Sequence, residues 1–530
     1  MKLSSLKRLR VIVSVIFLSL TSFVFLDYRN LLPEDWINGI VYLQFIPSLL
    51  KFINLFSLSI LGFIIILVFT LLFGRVYCST ICPLGILQDV FSFFARKFKK
   101  RKKRFYRYLK PSNILRYTLL GITTVLFLFG SILLLNLLDP YSNFGRFMTY
   151  FGKPVVVALN NGLSSVLEKF DIYTIFPVEL IKIQFEILLF PILMLILVLW
   201  LSLTNGRLFC NTVCPVGTLL GLLSRFSLYK IRIEKSTCTV CGLCARVCKS
   251  SCMDYKEGKV DFTRCVACYN CLTVCASDSV EYSRHKGILS IRPPEPVSVQ
   301  YKATPDLNKR KFIAGSVAWL LGMAGISMAK EIPVNEKPTE IPEEKEFPVS
   351  PPGAVSIENF TDNCTACTLC ISACPTDVLQ PSFLQYGITG IMQPHMDYHS
   401  GFCIYDCVIC SQVCPTGAIL PVTLENKQLI QLGKSIFVKD NCIVHTDKTD
   451  CGACSEVCPT KAVYMVPYEG DLFIPEVNND ICVGCGACEY ACPTIPYKAI
   501  YVDGNVVHLA AEKPEEEELK APSTEEDFPF

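Results

Sequence analysis

Cys482-Val-Gly-Cys485-Gly-Ala-Cys488-Glu-Tyr-Ala-Cys492-Pro493 reads C-x2-C-x2-C-x3-C-P. Three thiolates this close can cap three irons of one [4Fe–4S] cube, and the fourth faces away to ligate the cube of a second such run. Glycine between ligands lets the loop wrap a bulky cube without Cβ clashes, and the proline fixes the exit of the chain. Five further runs repeat the pattern: Cys238/Cys241/Cys244/Cys248, Cys265/Cys268/Cys271/Cys275, Cys364/Cys367/Cys370/Cys374, Cys403/Cys407/Cys410/Cys414 and Cys442/Cys451/Cys454/Cys458. The first gap widens to x3 in the fourth of these and to x8 in the fifth. Structural zinc usually pairs two separated C-x2-C knuckles, and a disulfide framework scatters its cysteines. Neither needs four in one run, so the pattern predicts six [4Fe–4S] clusters.

The chain has 530 residues, 51% of them hydrophobic, and a net charge of +3. Its mean hydropathy is +0.40, high for a soluble protein. Bulk charge gives no reason to expect a nucleic-acid partner. Twenty-nine cysteines, clustered in runs, favour metal ligation over disulfides. Cys78, Cys82, Cys210, Cys214 and Cys252 remain outside the six runs. No C-x-x-C-H occurs, which excludes a covalent c-type haem site. His285, His395, His399, His445 and His508 all lie outside the apolar segments, which excludes a bis-histidine haem within a membrane.

Four apolar runs, 11–26, 55–73, 117–138 and 187–203, are near the length that crosses ~30 Å of hydrocarbon. The first follows Lys2, Lys7, Arg8 and Arg10 without a cleavage-site pattern, so an uncleaved span is expected. The basic loop Arg96–Arg107 predicts a cytoplasmic connection between spans two and three. The loop 139–184 then lies outside, and span four returns the chain to the cytoplasm just before Cys238. A fifth apolar run, Phe312–Ala329, follows Lys309-Arg310-Lys311. It reads as a membrane anchor or as an internal twin-arginine-type export signal, with Lys309 in place of the first arginine. Either way the cysteine runs from Cys364 onward are expected outside.

The expected architecture is an α-helical membrane domain with small α+β ferredoxin-like two-cluster modules. Residues 1–230 are the four-span domain and 231–290 a cytoplasmic two-cluster module. Residues 291–330 are a connector with the fifth span or signal, and 331–356 a flexible linker rich in Pro and Glu. Two more modules follow, 357–425 and 426–511, with an acidic disordered tail at 512–530. Stretches such as Ala462–Val466 and Ala499–Val502 suit the short strands of such modules. Neighbouring runs are expected to exchange their fourth cysteine. A nested order, first run with last, is the alternative that spacing leaves open. Cys252, four residues after Cys248, reads as a competing ligand or as a buried free thiol.

One motif occurs twice: Gly74-Arg-Val-Tyr-Cys78-Ser-Thr-Ile-Cys82-Pro-Leu-Gly85 and Gly206-Arg-Leu-Phe-Cys210-Asn-Thr-Val-Cys214-Pro-Val-Gly217. Each copy follows a span running inward, so the two can be related by a pseudo-two-fold axis along the membrane normal. Cys78, Cys82, Cys210 and Cys214 are thus a possible additional redox site at the cytoplasmic side, as a further iron–sulfur centre or a pair of switching disulfides. The plain alternative is small residues packing a tight helix turn.

Spans carrying Gly-Arg-x-x-Cys-x3-Cys-Pro twice, followed by a two-cluster domain, resemble the NapH/MauN-type membrane ferredoxins. The four-run second half after a basic export-like segment resembles the NapG/MauM type, as if the two were fused in one chain. The resemblance implies a bacterial inner-membrane electron-transfer component of a quinol dehydrogenase rather than a stand-alone enzyme. Its partners would be quinol and a periplasmic reductase or small redox protein. The alternative is an accessory redox protein that matures a metal centre in an oxidase or reductase. No quinone site is legible. Asp139-Pro-Tyr-Ser-Asn-Phe-Gly-Arg146 reads equally as a charged mouth for a quinone and as an interfacial anchor. With no Cys or His inside the apolar runs, the two cluster sets are expected to need a diffusing quinone or a partner subunit between them.

Overall fold

Helix Leu3–Leu26 is unbroken. Its buried hydroxyls, Ser14 and Thr21, turn back onto the carbonyls of Val11 and Phe17 at 2.8 and 2.7 Å, so none is stranded in apolar surroundings. The Asp27 carboxylate ends it by accepting from the Leu31 and Leu32 N–H groups at 3.0 and 2.9 Å. The computed structural model describes residues 3–55, 61–98, 105–178, 185–284 and 339–513. Helices Leu61–Phe73, Pro83–Phe98, Asn113–Leu128, Phe185–Asn205 and Pro215–Ser224 form a slab in which Pro83–Phe98 packs on the first helix and on Phe185–Asn205, and Pro215–Ser224 packs on Leu61–Phe73 and Asn113–Leu128.

Two helices, Ser5–Leu26 and Glu186–Asn205, are long and apolar enough to cross a membrane. The pair Glu34–Tyr42 and Phe45–Asn54, bent by 105°, makes a third if taken as one span. Among the described residues, two such helices, or three with the bent pair, are found where four spans were expected. Of the expected 55–73 span, Leu61–Phe73 is helical and residues 56–60 lie outside the described residues. The expected 117–138 span breaks at Gly130, whose φ of +84° ends helix Asn113–Leu128 before Leu133–Leu138 begins. Hydropathy registers apolar length and is blind to such a break. The expected outer loop is itself helical at Pro140–Phe147 and Lys153–Glu168. The fifth run, Phe312–Ala329, and residues 514–530 of the expected tail lie outside the described residues.

The cysteine-rich parts are built from five two-stranded antiparallel sheets. Tyr229–Ile233 pairs with Val280–Arg284 to close the first module. The longest ladder joins Ile430–Phe437 to Ile500–Ala510 and shifts register between Gly504 and Leu509. Val463–Pro467 and Phe473–Val477 form a hairpin at one of the stretches expected as strand.

Part of the stretch expected as a flexible linker is strapped down. The Thr339 N–H bonds Ile495 O at 3.1 Å, the Phe347 N–H bonds the Asp503 carboxylate at 3.0 Å, and Ser350 Oγ meets His508 Nε2 at 2.9 Å. Proline and glutamate composition suggests solvated chain, but here the backbone donors of Thr339, Ile341 and Phe347 find partners on the module.

The described residues on both sides of 286–338 belong to one packed unit. The two cysteine-rich parts hold opposite ends of the first helix. At one end Lys7 Nζ donates to Thr273 Oγ1 at 3.3 Å, and Arg10 pairs with Asp89. At the other, Ser372 Oγ donates to Phe25 O at 2.6 Å.

Candidate metal centres

Each run wraps into a loop, a short helical turn and an exit, for local reasons. Gly486 before helix Ala487–Ala491 and Gly242 before Leu243–Arg246 take φ of +75° and +72°, which turns the chain between the second and third cysteines. The exchanged fourth cysteine is seen at all six sites. Cavities are lined by Cys374, Cys403, Cys407 and Cys410, by Cys442, Cys451, Cys454 and Cys492, and by Cys458, Cys482, Cys485 and Cys488. Cys244 lies within electrostatic reach of Cys238, Cys241 and Cys275. Cys271 reaches Cys265, Cys268 and Cys248 in the same way, and Cys370 reaches Cys364, Cys367 and Cys414. The nested alternative is not the arrangement of the described residues.

Among the described residues no three cysteine sulfurs lie within 4.8 Å of one another, and every cysteine is free. A single tetrahedral zinc, with Zn–S near 2.3 Å, would draw its four sulfurs to within about 4 Å. The sites are too wide for one ion and suit a polynuclear cluster held by four thiolates. Burial pushes the Cys367, Cys454 and Cys485 thiols up to about 12. They therefore keep their protons until a metal displaces them.

The sites fall in two rows, one of two and one of four, named here by their first cysteine. Cys271 of the 265 site reaches Cys244 of the 238 site. Cys370 of the 364 site reaches Cys410 of the 403 site. The Cys403 N–H bonds Cys485 O at 2.9 Å, which ties the 403 site to the 482 site. Cys488 of the 482 site shares one core with Cys442, Cys454 and Cys492 of the 442 site. The spatial order 364–403–482–442 thus differs from the order along the chain.

Cys252 packs beside the 265 site. It is 1% exposed, and its sulfur lies 3.6 Å from Cys248 Sγ. Its place beside a prospective ligand makes it a neighbour that can donate S–H to that sulfur.

The duplicated motif folds twice into the same shape. Gly74 and Gly206, at φ +80° and +71°, end helices Leu61–Phe73 and Phe185–Asn205 with left-handed residues. One short turn carries Cys78 or Cys210, and Pro83 or Pro215 then opens the next helix. The two copies interlock reciprocally. Arg75 Nη2 donates to Cys210 O at 3.1 Å, and Arg207 Nη1 donates to Cys78 O. A Cβ on Gly85 would strike Cys78 O and crowd Arg207, and one on Gly217 would strike Cys210 O and crowd Arg75. Each copy's arginine therefore completes the other copy's turn.

The interlock gathers Cys78, Cys82, Cys210 and Cys214, each 2–3% exposed, within electrostatic reach of one another. Their sulfurs meet hydrogen-bond donors. Gln88 Nε2 donates to Cys210 Sγ at 3.3 Å, the Gly217 N–H to Cys214 Sγ at 3.3 Å, and Arg75 Nη2 to Cys78 Sγ at 3.8 Å. Arg75, Arg207, Gln88 and Asp89 were not singled out by the sequence reading. The signal was present in the repeated Gly-Arg and in a lone acid, Asp89, set in an apolar stretch. Asp89 is buried, with Arg207 Nη2 and Lys249 Nζ at 2.8 and 3.0 Å.

The stretch Asp139–Arg146 is not an open mouth. Pro140–Phe147 is buried throughout and seats the Cys364 run. Arg146 Nε donates to Ala366 O at 3.0 Å and Nη2 to Thr365 O at 3.3 Å. Lys153 Nζ donates to Ser372 O at 2.9 Å. A different cavity, of about 330 Å³, opens between the bent pair of helices and Pro415, next to Cys414. Tyr42, Ser48 and Lys51 line it.

Comparison with known proteins agrees with this chemistry. Residues 56–101 and 187–234 match a family described as a 4Fe-4S binding domain, and the cysteines in them are Cys78, Cys82, Cys210 and Cys214 alone. Residues 449–495 match a 4Fe-4S dicluster domain and 358–380 a 4Fe-4S binding domain. The chain is similar to the methylamine utilization ferredoxin-type protein MauN of Methylobacillus flagellatus, 24% identical over 38% of this chain and 58% of that protein. It is 24% identical to the putative electron transport protein YccM of Escherichia coli, over 41% of this chain and 54% of YccM. It is 27% identical to the ferredoxin-type protein NapH of Haemophilus influenzae, over 36% of this chain and 54% of NapH. The matches therefore span little more than half the length of these three relatives. No solved structure matches. The chain is thus similar to ferredoxin-type electron-transport proteins, and parts of it match 4Fe-4S binding domains.

Proposed function

We propose that the protein is a membrane-bound iron–sulfur relay with six [4Fe–4S] clusters, carrying electrons from quinol to a periplasmic reductase or small redox protein. The observation that carries this reading is the two rows of four-cysteine sites, two sites and four, with the fourth cysteine of a neighbouring run at each. The ligands would be Cys238, Cys241, Cys244 and Cys275, with Cys248 completing the Cys265, Cys268 and Cys271 set. Cys414 completes Cys364, Cys367 and Cys370, and Cys374 completes Cys403, Cys407 and Cys410. Cys492 completes Cys442, Cys451 and Cys454, and Cys458 completes Cys482, Cys485 and Cys488. When bound, such clusters take up and release single electrons with little rearrangement. The chain's own part is to space them, exclude water and hold their thiolates.

The likeness to NapH and MauN supports a membrane electron-transfer role. The second half would then act as a NapG/MauM-type partner fused to it. The basic loop Arg96–Arg107 supports a cytoplasmic first module and an extracytoplasmic second half. The cavity beside Cys414 is of ligand size. Lys51 and Tyr42 at its wall give a quinol head group polar partners one residue from a cluster ligand, and the quinol tail would follow the bent helices into lipid.

Anaerobic analysis should give about 24 iron and 24 sulfide per chain from these six sites. Quinol added to membranes should then bleach the cluster absorbance. Saturation with a few zinc ions would refute the cluster reading. Full iron without any quinol reduction would favour the accessory role instead. Reporter fusions after Ser283 and after Phe530 should report opposite compartments.

A further inference from the structure

We propose that Cys78, Cys82, Cys210 and Cys214 hold a seventh cysteine-ligated iron–sulfur centre, and that it carries single electrons through the helical slab between the 265 site and the 364 site. This rests on the reading that the six sites hold clusters. It also removes the need for a diffusing quinone or a partner subunit between the two sets.

Position comes first. Along helix Leu3–Leu26, Arg10 meets the ion-pair network of the first module and Phe25 meets Ser372 of the second half. About 22 Å of helix rise separates these two residues. Tunnelling falls off exponentially with distance, so one step across such a slab is slow and two half-length steps are fast.

The four cysteines lie between the ends. On the side of the first module, Arg207 binds both Cys78 O and the Asp89 carboxylate. Asp89 in turn holds Lys249, which follows Cys248 of the 265 site in the chain. The Arg207 N–H also bonds Lys249 O at 2.9 Å. On the other side, Tyr77 lies within electrostatic reach of Cys82, Cys78 and Asp139. Asp139 reaches Cys367, and Tyr141 reaches Cys367 and Cys414 of the 364 site. Cys268 of the 265 site, Cys78, Cys82 and Cys214, Tyr77 and Tyr141, and Cys364, Cys367 and Cys370 of the 364 site all belong to one core.

The charge of the surroundings points to an anion at the four sulfurs. Arg75 is fully buried, and among the described residues its partners are neutral: Asn211 Oδ1 at 2.8 Å, Thr263 O at 3.1 Å and Cys210 O. Its Nε finds no partner. Asp89 is shared by Arg10, Arg207 and Lys249. A buried cation without an anion is costly. A cluster of four thiolates carries the missing negative charge, and Gln88, Gly217 and Arg75 already aim donors at its sulfurs. Small apolar thiols packing a turn would need none of these.

Clusters held by Cys265, Cys268, Cys271 and Cys248, by the four slab cysteines, and by Cys364, Cys367, Cys370 and Cys414 would supply one-electron transfer in which one electron lost at one end is gained at the other, with no bond made or broken. Direction follows from the donor and acceptor at either end.

The test uses the full chain in sealed proteoliposomes, sorted so that the first module faces out. Dithionite, a reductant that crosses membranes poorly, is added outside, and reduction of the clusters is followed by absorbance and electron paramagnetic resonance. All the clusters should be reduced in the wild type. The Cys82→Ser/Cys214→Ser variant should keep the six, lose the extra iron, and reduce the lumenal four at least tenfold more slowly. A second variant guards against misfolding: Gln88→Leu should move the midpoint potential of one centre and leave the other six unchanged. Equal iron in wild type and double variant, undiminished reduction of the lumenal clusters, or no displaced midpoint would overturn the proposal. Six intact clusters with no lumenal reduction in the wild type would sink this inference alone. Absence of the six would instead sink the reading it rests on.

Discussion

Two kinds of four-cysteine site occur in this molecule. At the six ladder sites three sulfurs come from one short run and the fourth from its neighbour, and several stand at the surface, Cys241 being exposed. In the helical slab, two sulfurs come from each of two distant copies of one motif, and all four are buried. The first kind depends on local loop geometry. The second depends on two arginines that each finish the other copy's turn. A ladder site can therefore be lost singly, whereas the slab site should stand or fall with the packing of the helices around it.

The largest expected effect breaks that contrast directly. Arg207→Ala removes the bond to Cys78 O and leaves Asp89 to Arg10 and Lys249 in a buried place. Loss of one partner of a buried ion pair costs about 3–5 kcal/mol. Denaturant unfolding in detergent should show the slab destabilised by that order. The sulfide content of the C-terminal sites should be unchanged in protein that still folds. A slab of unchanged stability would mean the reciprocal clamp is not what holds the copies together.

Next comes the symmetry of the clamp. Gly85→Ala and Gly217→Ala each push a methyl group against a backbone carbonyl and an arginine of the other copy. Overpacking of this kind costs about 1–3 kcal/mol. The two variants should fall within experimental error of each other. A large difference would show that one copy carries the site and the other merely resembles it.

A smaller effect belongs to the ladder. Cys252 stands beside Cys248, so Cys252→Ala should remove a hydrogen bond worth about 1 kcal/mol from one ligand sulfur. For a one-electron centre that lowers the potential of the 265 site by about 40 mV. A redox titration should show one displaced centre. Displacement of several would indicate a general rearrangement of the module.

The smallest effect concerns the strap over the last module. Burial lowers the His508 pKa to about 4, and its Nε2 meets Ser350 Oγ. A histidine with a depressed pKa in the folded state contributes stability above its unfolded value near 6.5, and that stability is lost as pH falls towards 4. From pH 7 to pH 6 the loss is at most about 0.7 kcal/mol. His508→Gln should flatten this slope in thermal melts of the otherwise intact protein. An unchanged slope would place the titrating group elsewhere.

The ladder was legible in the sequence because each run carries its own spacing, with a glycine turn in three of the six and a proline after the last cysteine in most. Those features act within a dozen residues, where chain geometry leaves few choices. The strand Val463–Pro467 follows from the same short range, whereas the exchange of the fourth cysteine joins separate runs, such as Cys370 with Cys414, and spacing alone left it open. Apolar runs were legible as membrane-compatible segments, but their ends were not. Gly130 and the bend between Glu34–Tyr42 and Phe45–Asn54 break helices without changing mean hydropathy.

The repeated Gly-Arg-x-x-Cys-x3-Cys-Pro marked two turns of one shape from the sequence alone. Only the tertiary structure decided that each arginine serves the other copy, because that contact joins residues far apart in the chain. It also decided that Asp139–Arg146 is a buried seat for the Cys364 run and not a surface mouth. The order 364–403–482–442 is likewise a matter of packing. Exchange between neighbouring runs sets which four sulfurs meet, whereas the contact of Cys403 with Cys485 sets which site stands next in the row. Local spacing determines a ligand set; the position of that set relative to the others is determined by the surfaces that bury it.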